Sequence, residues 1–304
     1  MDRAIEAECE ALRKTLKEKG DTLISLVMSK PPKDRYILRE SYKSCFGVDF
    51  DEELNKCLNG NFRRVIRDLF QPPEERDANY LYKAMKGVGT DEDTLIEIIC
   101  TRSNIELEKI KEVYEKLFKS SLEKKVSSDT SGALQKLLTS LLQCKRSENA
   151  CPDEENCKKL AEELYKAGEA KLGTDEPVFN KIFALSSPPE LFSINNYYNT
   201  ISKVHLRDAL NKEYSGHIKD AFLTILESVI APSEYYAKRV NKSVKGLGTN
   251  DKMLVRVLVS REGKDMAQIR ESYKTIFGKD MIQDIKGDTS GTYQKILVEI
   301  ASRD

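Results

Sequence analysis

The 304-residue chain is rich in charged side chains but carries no net charge, with 50 Lys and Arg balancing 50 Asp and Glu. A neutral chain has no bulk attraction for nucleic acid or for an anionic membrane, so binding to either requires a local source of positive charge. No apolar run approaches the roughly 20 residues of a membrane-spanning helix. The first 20 residues lack the apolar core of a signal peptide, so we expect a cytoplasmic protein whose seven Cys are reduced thiols.

One helical unit recurs four times along the chain. A tyrosine marks each unit at steps of 72, 84 and 75 residues, at Tyr42, Tyr114, Tyr198 and Tyr273. The last helix of each unit carries apolar residues at i, i+3, i+4 and i+7, which is the pattern of one buried helix face. These four sets are Phe62, Val65, Ile66 and Leu69; Leu134, Leu137, Leu138 and Leu141; Ile218, Ala221, Phe222 and Ile225; and Tyr293, Ile296, Leu297 and Ile300.

The fourth unit shows the order of elements within a repeat. The pattern predicts helices over 233–244, from Thr249 or Asn250 onward, within 265–277, near 281–285, and up to about Ser302. Five helices per unit and almost no strand signal predict an all-α fold. The predicted repeats are 3–70, 75–143, 155–229 and 233–302, with a linker in the polar segment around 143–155.

A pair of loops recurs at a fixed distance in repeats 2 and 4. Residues 85–91 read MKGVGTD and residues 244–250 read VKGLGTN. Forty residues after the second Gly of each loop, Asp129 and Asp288 each begin the sequence DTSG. Two Gly separated by one residue allow positive φ angles, which can aim backbone carbonyls into one pocket. A local alternative makes the first loop only a tight turn and the Asp an N-cap, but its recurrence at the same spacing favours a shared site.

Calcium is the ion that such a pair of loops suits. Carbonyl and carboxylate oxygens are hard ligands, and calcium takes six to eight of them. Three carbonyls and a bidentate carboxylate provide five, so water or an external oxygen donor must complete the shell. A lipid phosphate fits that position in charge and hardness.

Other metal, nucleotide and catalytic motifs fail on inspection. Asp49 begins an EF-hand-like run, but Leu54 and Gly60 occupy the positions that require Gly and an acid. There is no phosphate-binding P-loop. His205 and His217 are the only histidines, so a Ser/His or Cys/His arrangement has little to draw on. We therefore expect a binding protein and no enzyme.

Together these features resemble the annexin family, in which four five-helix repeats carry K-G-x-G-T and a distant D-T-S-G. The stretch Met85–Leu142 is especially close to the family pattern, and the resemblance runs from about residue 3 to the end. It implies a curved disc with calcium loops on its convex face. It also implies calcium-dependent, reversible binding to acidic phospholipids such as phosphatidylserine. Self-association on the membrane surface stays open as part of that function, and we expect no nucleic-acid partner.

The resemblance also assigns ligands repeat by repeat. In repeat 2 the calcium ligands are the carbonyls of Met85, Gly87 and Gly89 and the carboxylate of Asp129. In repeat 4 they are Val244, Gly246, Gly248 and Asp288. In repeat 3, which lacks the first Gly of the pair, they are Gly168, Lys171 and Gly173 with Glu213 as the acid. The loop residues expected to contact lipid are Lys86, Val88, Leu172, Lys245 and Leu247.

Repeat 1 departs from this pattern. Its aligned loop, Arg13–Glu18, has no Gly pair, and Cys57 stands where the acid should be. We therefore predict no calcium site of the usual kind in repeat 1.

Two other readings stay open. One is a cytoskeletal or scaffold protein whose calcium loops are partly relics, although the intact acids of repeats 2 and 4 favour membrane binding. The other is ion conduction past Glu97, Glu112, Arg256 and Arg270. Buried ion pairs between repeats would explain the same four residues.

Overall fold

The computed structural model describes residues 3–171, 173–246 and 248–303, and these residues form helices and no strand. Repeat 1 contains α1 (Arg3–Glu18), α2 (Gly20–Ser29), α3 (Pro32–Phe46), α4 (Phe50–Cys57) and α5 (Gly60–Phe70). Repeat 2 contains α6 (Pro73–Ala84), α7 (Glu92–Thr101), α8 (Asn104–Phe118), α9 (Leu122–Asp129) and α10 (Gly132–Leu141). Repeat 3 contains α11 (Glu154–Ala167), α12 (Glu176–Leu185), α13 (Pro188–Ile201), α14 (Leu206–Glu213) and α15 (Gly216–Ile230). Repeat 4 contains α16 (Pro232–Val244), α17 (Asp251–Arg261), α18 (Met266–Phe277), α19 (Met281–Asp288) and α20 (Gly291–Ser302). The prediction of an all-α chain with four repeats of five helices is confirmed.

Local sequence signals fix the ends of several helices. Ser103 and Glu106 form a capping box at the start of α8, and Ser187 and Glu190 form the same device at the start of α13. Gly278 follows the C-terminal end of α18 with a φ of 65°, a left-handed conformation that Gly adopts without steric cost. The third helices of repeats 2 and 3 therefore begin with the same capping chemistry.

The chain divides into two compact units, each with its own core. One unit comprises Met1–Arg76 and Ser233–Asp304, and the other comprises Asp77–Pro232. The four repeating tyrosines are all buried, two in each core. The predicted apolar stripes are buried as well, except that Ile218 and Tyr293, each the first member of its set, are only half-buried. The hydrophobic period therefore identified the core faces of the last helices.

Of the four charged groups considered for an ion path, Glu112 does not fit a buried ion pair. Glu97 and Arg256 are each 1% exposed. Glu112, however, is exposed on α8, and Arg270 donates to the carbonyl of Ala301 at 2.7 Å. The buried-pair explanation therefore does not apply to Glu112. None of the described helices is both long and apolar enough to cross a bilayer.

Candidate calcium-binding loops

The loops that join the first and second helices of repeats 2 and 4 have similar φ angles at both of their glycines. Gly87 and Gly89 have φ angles of 102° and 84°, and Gly246 and Gly248 have φ angles of 117° and 86°. Residues with a side chain rarely adopt such angles, so each loop requires Gly at both positions. The sequence pattern G-x-G thus corresponds to a particular turn that is built twice.

Both loops are closed by an equivalent backbone hydrogen bond. The N–H of Asp91 donates to the carbonyl of Ala84 at 2.9 Å, and the N–H of Asn250 donates to the carbonyl of Ser243 at 2.7 Å. In each case the donor lies seven residues after the acceptor. The residues predicted as carbonyl ligands lie between donor and acceptor in each loop.

The carboxylate of Asp91 has a structural task and is not offered to a metal. It accepts hydrogen bonds from both the backbone N–H and the hydroxyl of Thr94, at 3.1 and 2.8 Å. In repeat 4 the side chain of Asn250 caps α17 by accepting from the N–H of Met253 at 3.1 Å. Because an amide replaces the carboxylate there without loss of the cap, the position needs an acceptor and no charge.

A threonine hydroxyl joins each loop to its distant acid. The hydroxyl of Thr90 donates to the backbone carbonyl of Asp129 at 3.1 Å, and that of Thr249 donates to the carbonyl of Asp288 at 2.8 Å. This contact brings together two segments that lie 39 residues apart in the chain. Thr249 was predicted only as a possible cap of the following helix, and its contact with the distant acid was missed, although Thr recurs directly after the second Gly of each loop.

Asp129 and Asp288 lie at the ends of helices and cap no following helix. They are the last residues of α9 and α19, whereas the N-cap positions of α10 and α20 are Ser131 and Ser290. The alternative that each Asp is an N-cap is therefore wrong. A carboxylate at a helix C-terminus faces the negative end of the helix dipole, which is unfavourable unless a cation neutralises it.

The acid of repeat 4 lies in a cavity and has an unused ligand atom. Asp288 lines a cavity of about 480 Å³ together with Val244 and Gly246, two of the residues predicted to ligate through their carbonyls. Its Oδ2 is buried and has no hydrogen-bond partner among the residues that the structure describes. A buried carboxylate oxygen without a partner is costly, and a bound cation would offset that cost.

The acid of repeat 2 has partners of its own. Its Oδ1 accepts from Lys125 Nζ and from the hydroxyl of Ser128, each at 2.9 Å. Burial by itself would raise the pKa of the Asp129 carboxyl, but these hydrogen bonds and the Lys125 charge outweigh it and lower the pKa. Asp129 is therefore a carboxylate at neutral pH.

The loop of repeat 3 is one residue longer than the other two. The N–H of Asp175 closes it onto the carbonyl of Ala167, eight positions earlier, at 2.7 Å. Gly168 has a φ of −121°, and its carbonyl, a predicted ligand, accepts from the N–H of Lys171 at 3.1 Å. A Cβ on Gly168 would approach the ring of Phe179 to 3.2 Å. A side chain at residue 168 would therefore crowd Phe179, whereas the φ angle of Gly168 is not in the left-handed region.

The acid of repeat 3 is also held differently. The hydroxyl of Thr174 donates to Oε2 of Glu213 at 2.5 Å, so here the threonine contacts the carboxylate and not the backbone carbonyl. Gly173 keeps the positive φ of the second Gly, at 81°. Repeat 3 therefore brings the loop and the acid together, but with one carboxylate oxygen already hydrogen-bonded.

Repeat 1 has a helix where the other repeats have the loop. Residues 13–18 belong to α1, and the carbonyl of Thr15 accepts from the N–H of Lys19 at 2.8 Å. Only Lys19 separates α1 from α2. Carbonyls engaged along a helix cannot converge on a cation, and Cys57, half-buried at the end of α4, supplies no carboxylate.

The side chains predicted to contact lipid lie at the loop tips where they are described. Val88 is fully exposed between its two Gly, and Lys86 and Lys245 are exposed as well. Leu172 and Leu247 lie outside the described residues. In the described part of the chain no three His, Cys, Asp or Glu side chains form a metal-binding cluster, so these loops would bind a metal chiefly through backbone carbonyls.

Comparison with known proteins identifies the repeat. The annexin family model matches residues 76–141, 159–225 and 235–300, which correspond to repeats 2, 3 and 4. Human annexin A11 is 38% identical over 296 residues, covering 96% of this chain but only 59% of that protein, and mouse annexin A4 is 39% identical over 300 residues, covering 98% and 94%. The chain thus spans about three fifths of the length of human annexin A11.

Solved structures agree over the full length. Annexin III superposes with a TM-score of 0.94 at 35% identity, covering 100% of this chain and 95% of that one. Chicken annexin V in complex with Zn²⁺ gives a TM-score of 0.89 at 35% identity, covering 99% and 96%. Calcium-bound annexin (Sm)1 gives a TM-score of 0.87 at 26% identity, covering 98% and 90%.

Proposed function

This chain belongs to the annexin family, whose members are calcium-dependent phospholipid-binding proteins, and we propose that it binds acidic membranes through calcium held in repeats 2 and 4. One observation carries the proposal. In both repeats a Gly-x-Gly loop of matching φ angles is tied by a threonine hydroxyl to the residue that supplies the acid. Annexins are in general binding proteins and not enzymes.

The chemistry of the site follows from what calcium requires. In repeat 2 the carbonyls of Met85, Gly87 and Gly89 and both carboxylate oxygens of Asp129 would supply five ligands. Val244, Gly246, Gly248 and Asp288 would supply the same set in repeat 4. Since calcium takes six to eight oxygens, one or more positions remain for a lipid phosphate.

Calcium would also provide the charge that the chain lacks. With no net charge, the protein gains little from the negative potential of an acidic membrane. Lys86 and Lys245 lie exposed on the loops and would each add about 1 kcal/mol near such a surface. The exposed Val88 would enter the interfacial layer, and we propose the same lipid contact for Leu172 and Leu247 from their positions in the sequence.

The other two repeats would contribute less. Repeat 3 would hold calcium through Gly168, Lys171, Gly173 and Glu213, but its longer loop and its hydrogen-bonded acid favour a weaker site. Repeat 1 would hold none, because its loop is helical. Binding would then be peripheral and would follow the calcium concentration.

A vesicle sedimentation series tests the proposal. The protein is mixed with vesicles of phosphatidylserine and phosphatidylcholine or of phosphatidylcholine alone, each with calcium or with excess chelator. Sedimentation is expected only with both calcium and the acidic lipid. Equal sedimentation in chelator, or none in any arm, would contradict a calcium bridge.

A further inference from the structure

Repeats 2 and 4 differ at two positions beside the acid: Gly287 replaces Ser128, which donates to Asp129, and the charge four residues before the acid is reversed. Four residues before Asp129 stands Lys125, whereas four residues before Asp288 stands Asp284. Residues at i and i+4 of a helix lie on the same face, so this side chain is the nearest helical neighbour of the acid. The two sites therefore share a backbone but differ by two units of charge at the same place.

In repeat 2 the acid already forms an ion pair with a lysine side chain of the protein. Lys125 Nζ lies 2.9 Å from Oδ1 of Asp129, and Ser128 donates to the same oxygen at 2.9 Å. A bidentate calcium ion would need that oxygen, so it must displace the ammonium group. The displaced Lys125, tethered one helical turn away, would remain close to the bound cation and repel it.

In repeat 4 the same position adds negative charge. Asp284 and Asp288 line one cavity, and Oδ2 of Asp284 accepts from the hydroxyl of Tyr273 at 2.7 Å. Asn241 donates in turn to that tyrosine oxygen at 3.0 Å, which fixes the direction of the hydroxyl. Lys279 also lines the cavity, but within the described residues it forms no ion pair with either acid. The buried Oδ2 of Asp288 has no hydrogen-bond partner among the described residues, so a calcium ion would displace none of them.

We propose that calcium fills repeat 4 first and repeat 2 only at higher concentration, with Lys125 acting as a tethered competitor for the second site. The membrane part of this proposal rests on the function proposed above. Repeat 4 would then anchor the protein at low calcium, and repeat 2 would strengthen the attachment as calcium rises. Lys125 and Asp284 are thus the residues that set the order of loading.

Calorimetric calcium titration without lipid tests the order directly. In an Asp288→Ala, Glu213→Ala background, which removes the acids of repeats 4 and 3 and leaves the repeat 2 site, Lys125→Gln is expected to lower the calcium midpoint about three- to fivefold. The substitution removes the ion pair between Lys125 and Asp129 and the repulsion between Lys125 and the bound calcium. Lys125→Arg keeps the charge and should restore the higher midpoint. Lys124→Gln is the matched control, because it removes the same charge from the exposed neighbouring residue and should change the midpoint by less than about twofold. In an Asp129→Ala, Glu213→Ala background, which leaves the repeat 4 site, Asp284→Asn should raise the calcium midpoint by a similar factor.

The results separate this inference from the proposed function. If Lys125→Gln leaves the midpoint unchanged, or shifts it no more than Lys124→Gln does, the competitor role is wrong. Melting in chelator, followed by circular dichroism, establishes that each variant is folded. The wild-type vesicle series is run alongside. Failure to sediment would overturn membrane binding, whereas the lipid-free titration would still decide the order of loading.

Discussion

Replacing Asp288 by Ala should make the calcium-free protein more stable and the calcium response weaker. The carboxylate stands at the last residue of α19, against the negative end of the helix dipole, and one of its oxygens is buried without a partner among the described residues. Removing a like charge from a helix end is worth about 0.3–1 kcal/mol. In a unit of about 150 residues, that corresponds to a rise in Tm of about 1–4 °C in chelator.

The same substitution removes the charged ligand of the repeat 4 site. Calcium affinity follows the number of charged ligands, and we expect the calcium midpoint for vesicle binding to rise at least about tenfold, or 1.4 kcal/mol. Asp284 does not replace the lost ligand, because one of its oxygens is held by Tyr273 at 2.7 Å. Thr249 can still donate to the backbone carbonyl at position 288, so the loops stay joined.

The helix itself provides the matched control. Asp280 is the N-cap of α19 and accepts from the N–H of Gln283 at 2.9 Å. Asp280→Ala should therefore lower the free energy of unfolding by about 1 kcal/mol and leave the calcium midpoint unchanged. Thermal unfolding in chelator and vesicle sedimentation across a calcium titration are measured for both variants. A lower Tm with a wild-type midpoint for Asp288→Ala would refute the assignment of Asp288 as a ligand.

Three further predictions follow from the other sites and from the thiols. Glu213→Ala should raise the calcium midpoint less than Asp288→Ala does, because the carboxylate of Glu213 is already hydrogen-bonded. Cys57→Ala should leave the midpoint unchanged, because repeat 1 has a helix in place of the calcium loop. Vesicle sedimentation across a calcium titration measures both. Val88→Asp should raise the calcium needed for vesicle binding roughly tenfold, while calorimetry without lipid shows unchanged calcium affinity. A maleimide should label the exposed Cys151 rapidly at pH 8, whereas burial raises the pKa of Cys100 to about 12 and should leave it unlabelled, as mass spectrometry of peptides will show.

Each of these has a contradicting outcome. A Glu213→Ala midpoint as high as that of Asp288→Ala would place repeat 3 among the principal sites. Loss of lipid-free calcium binding in Val88→Asp would mean that the side chain supports the loop and not the lipid contact. Labelling of Cys100 at the rate of Cys151 would show that the core of that unit opens readily.

The raised pKa of Cys100 also implies that the free energy of unfolding falls as the pH rises from about 9 toward 12, since the thiol ionises first in the unfolded chain.

The features that the sequence predicted well are those that depend on short-range patterns of residues. Apolar periodicity located the core faces of the final helices, and paired Gly identified the turns at Gly87 and Gly246. The lack of a Gly pair in repeat 1 predicted that the usual calcium loop is missing there, but not that residues 13–18 belong to a helix. Each of these depends on a few neighbouring residues, so one sequence was enough.

Features that depend on distant or side-chain contacts were missed or misjudged. Nothing local shows that Thr90 reaches the carbonyl of Asp129, because the two lie 39 residues apart. An Asp before Thr-Ser-Gly can end one helix or cap the next, and spacing cannot distinguish the two, which is why the N-cap alternative stayed open. The spacing of Lys125 and Asp129 is that of an i,i+4 ion pair, which the sequence already allows. The contrast with repeat 4 required the structure, because only the structure shows that Asp284 and Asp288 line one cavity.

The central claim is that a lipid phosphate completes the calcium shell, so calcium and lipid must strengthen each other's binding by the same factor. Calorimetric titration of the wild-type protein with calcium, in the presence and absence of phosphatidylserine vesicles, measures that factor directly. We predict weak sites without vesicles and distinctly tighter sites with them, and no such change with phosphatidylcholine vesicles. An unchanged calcium affinity on adding phosphatidylserine would contradict the account.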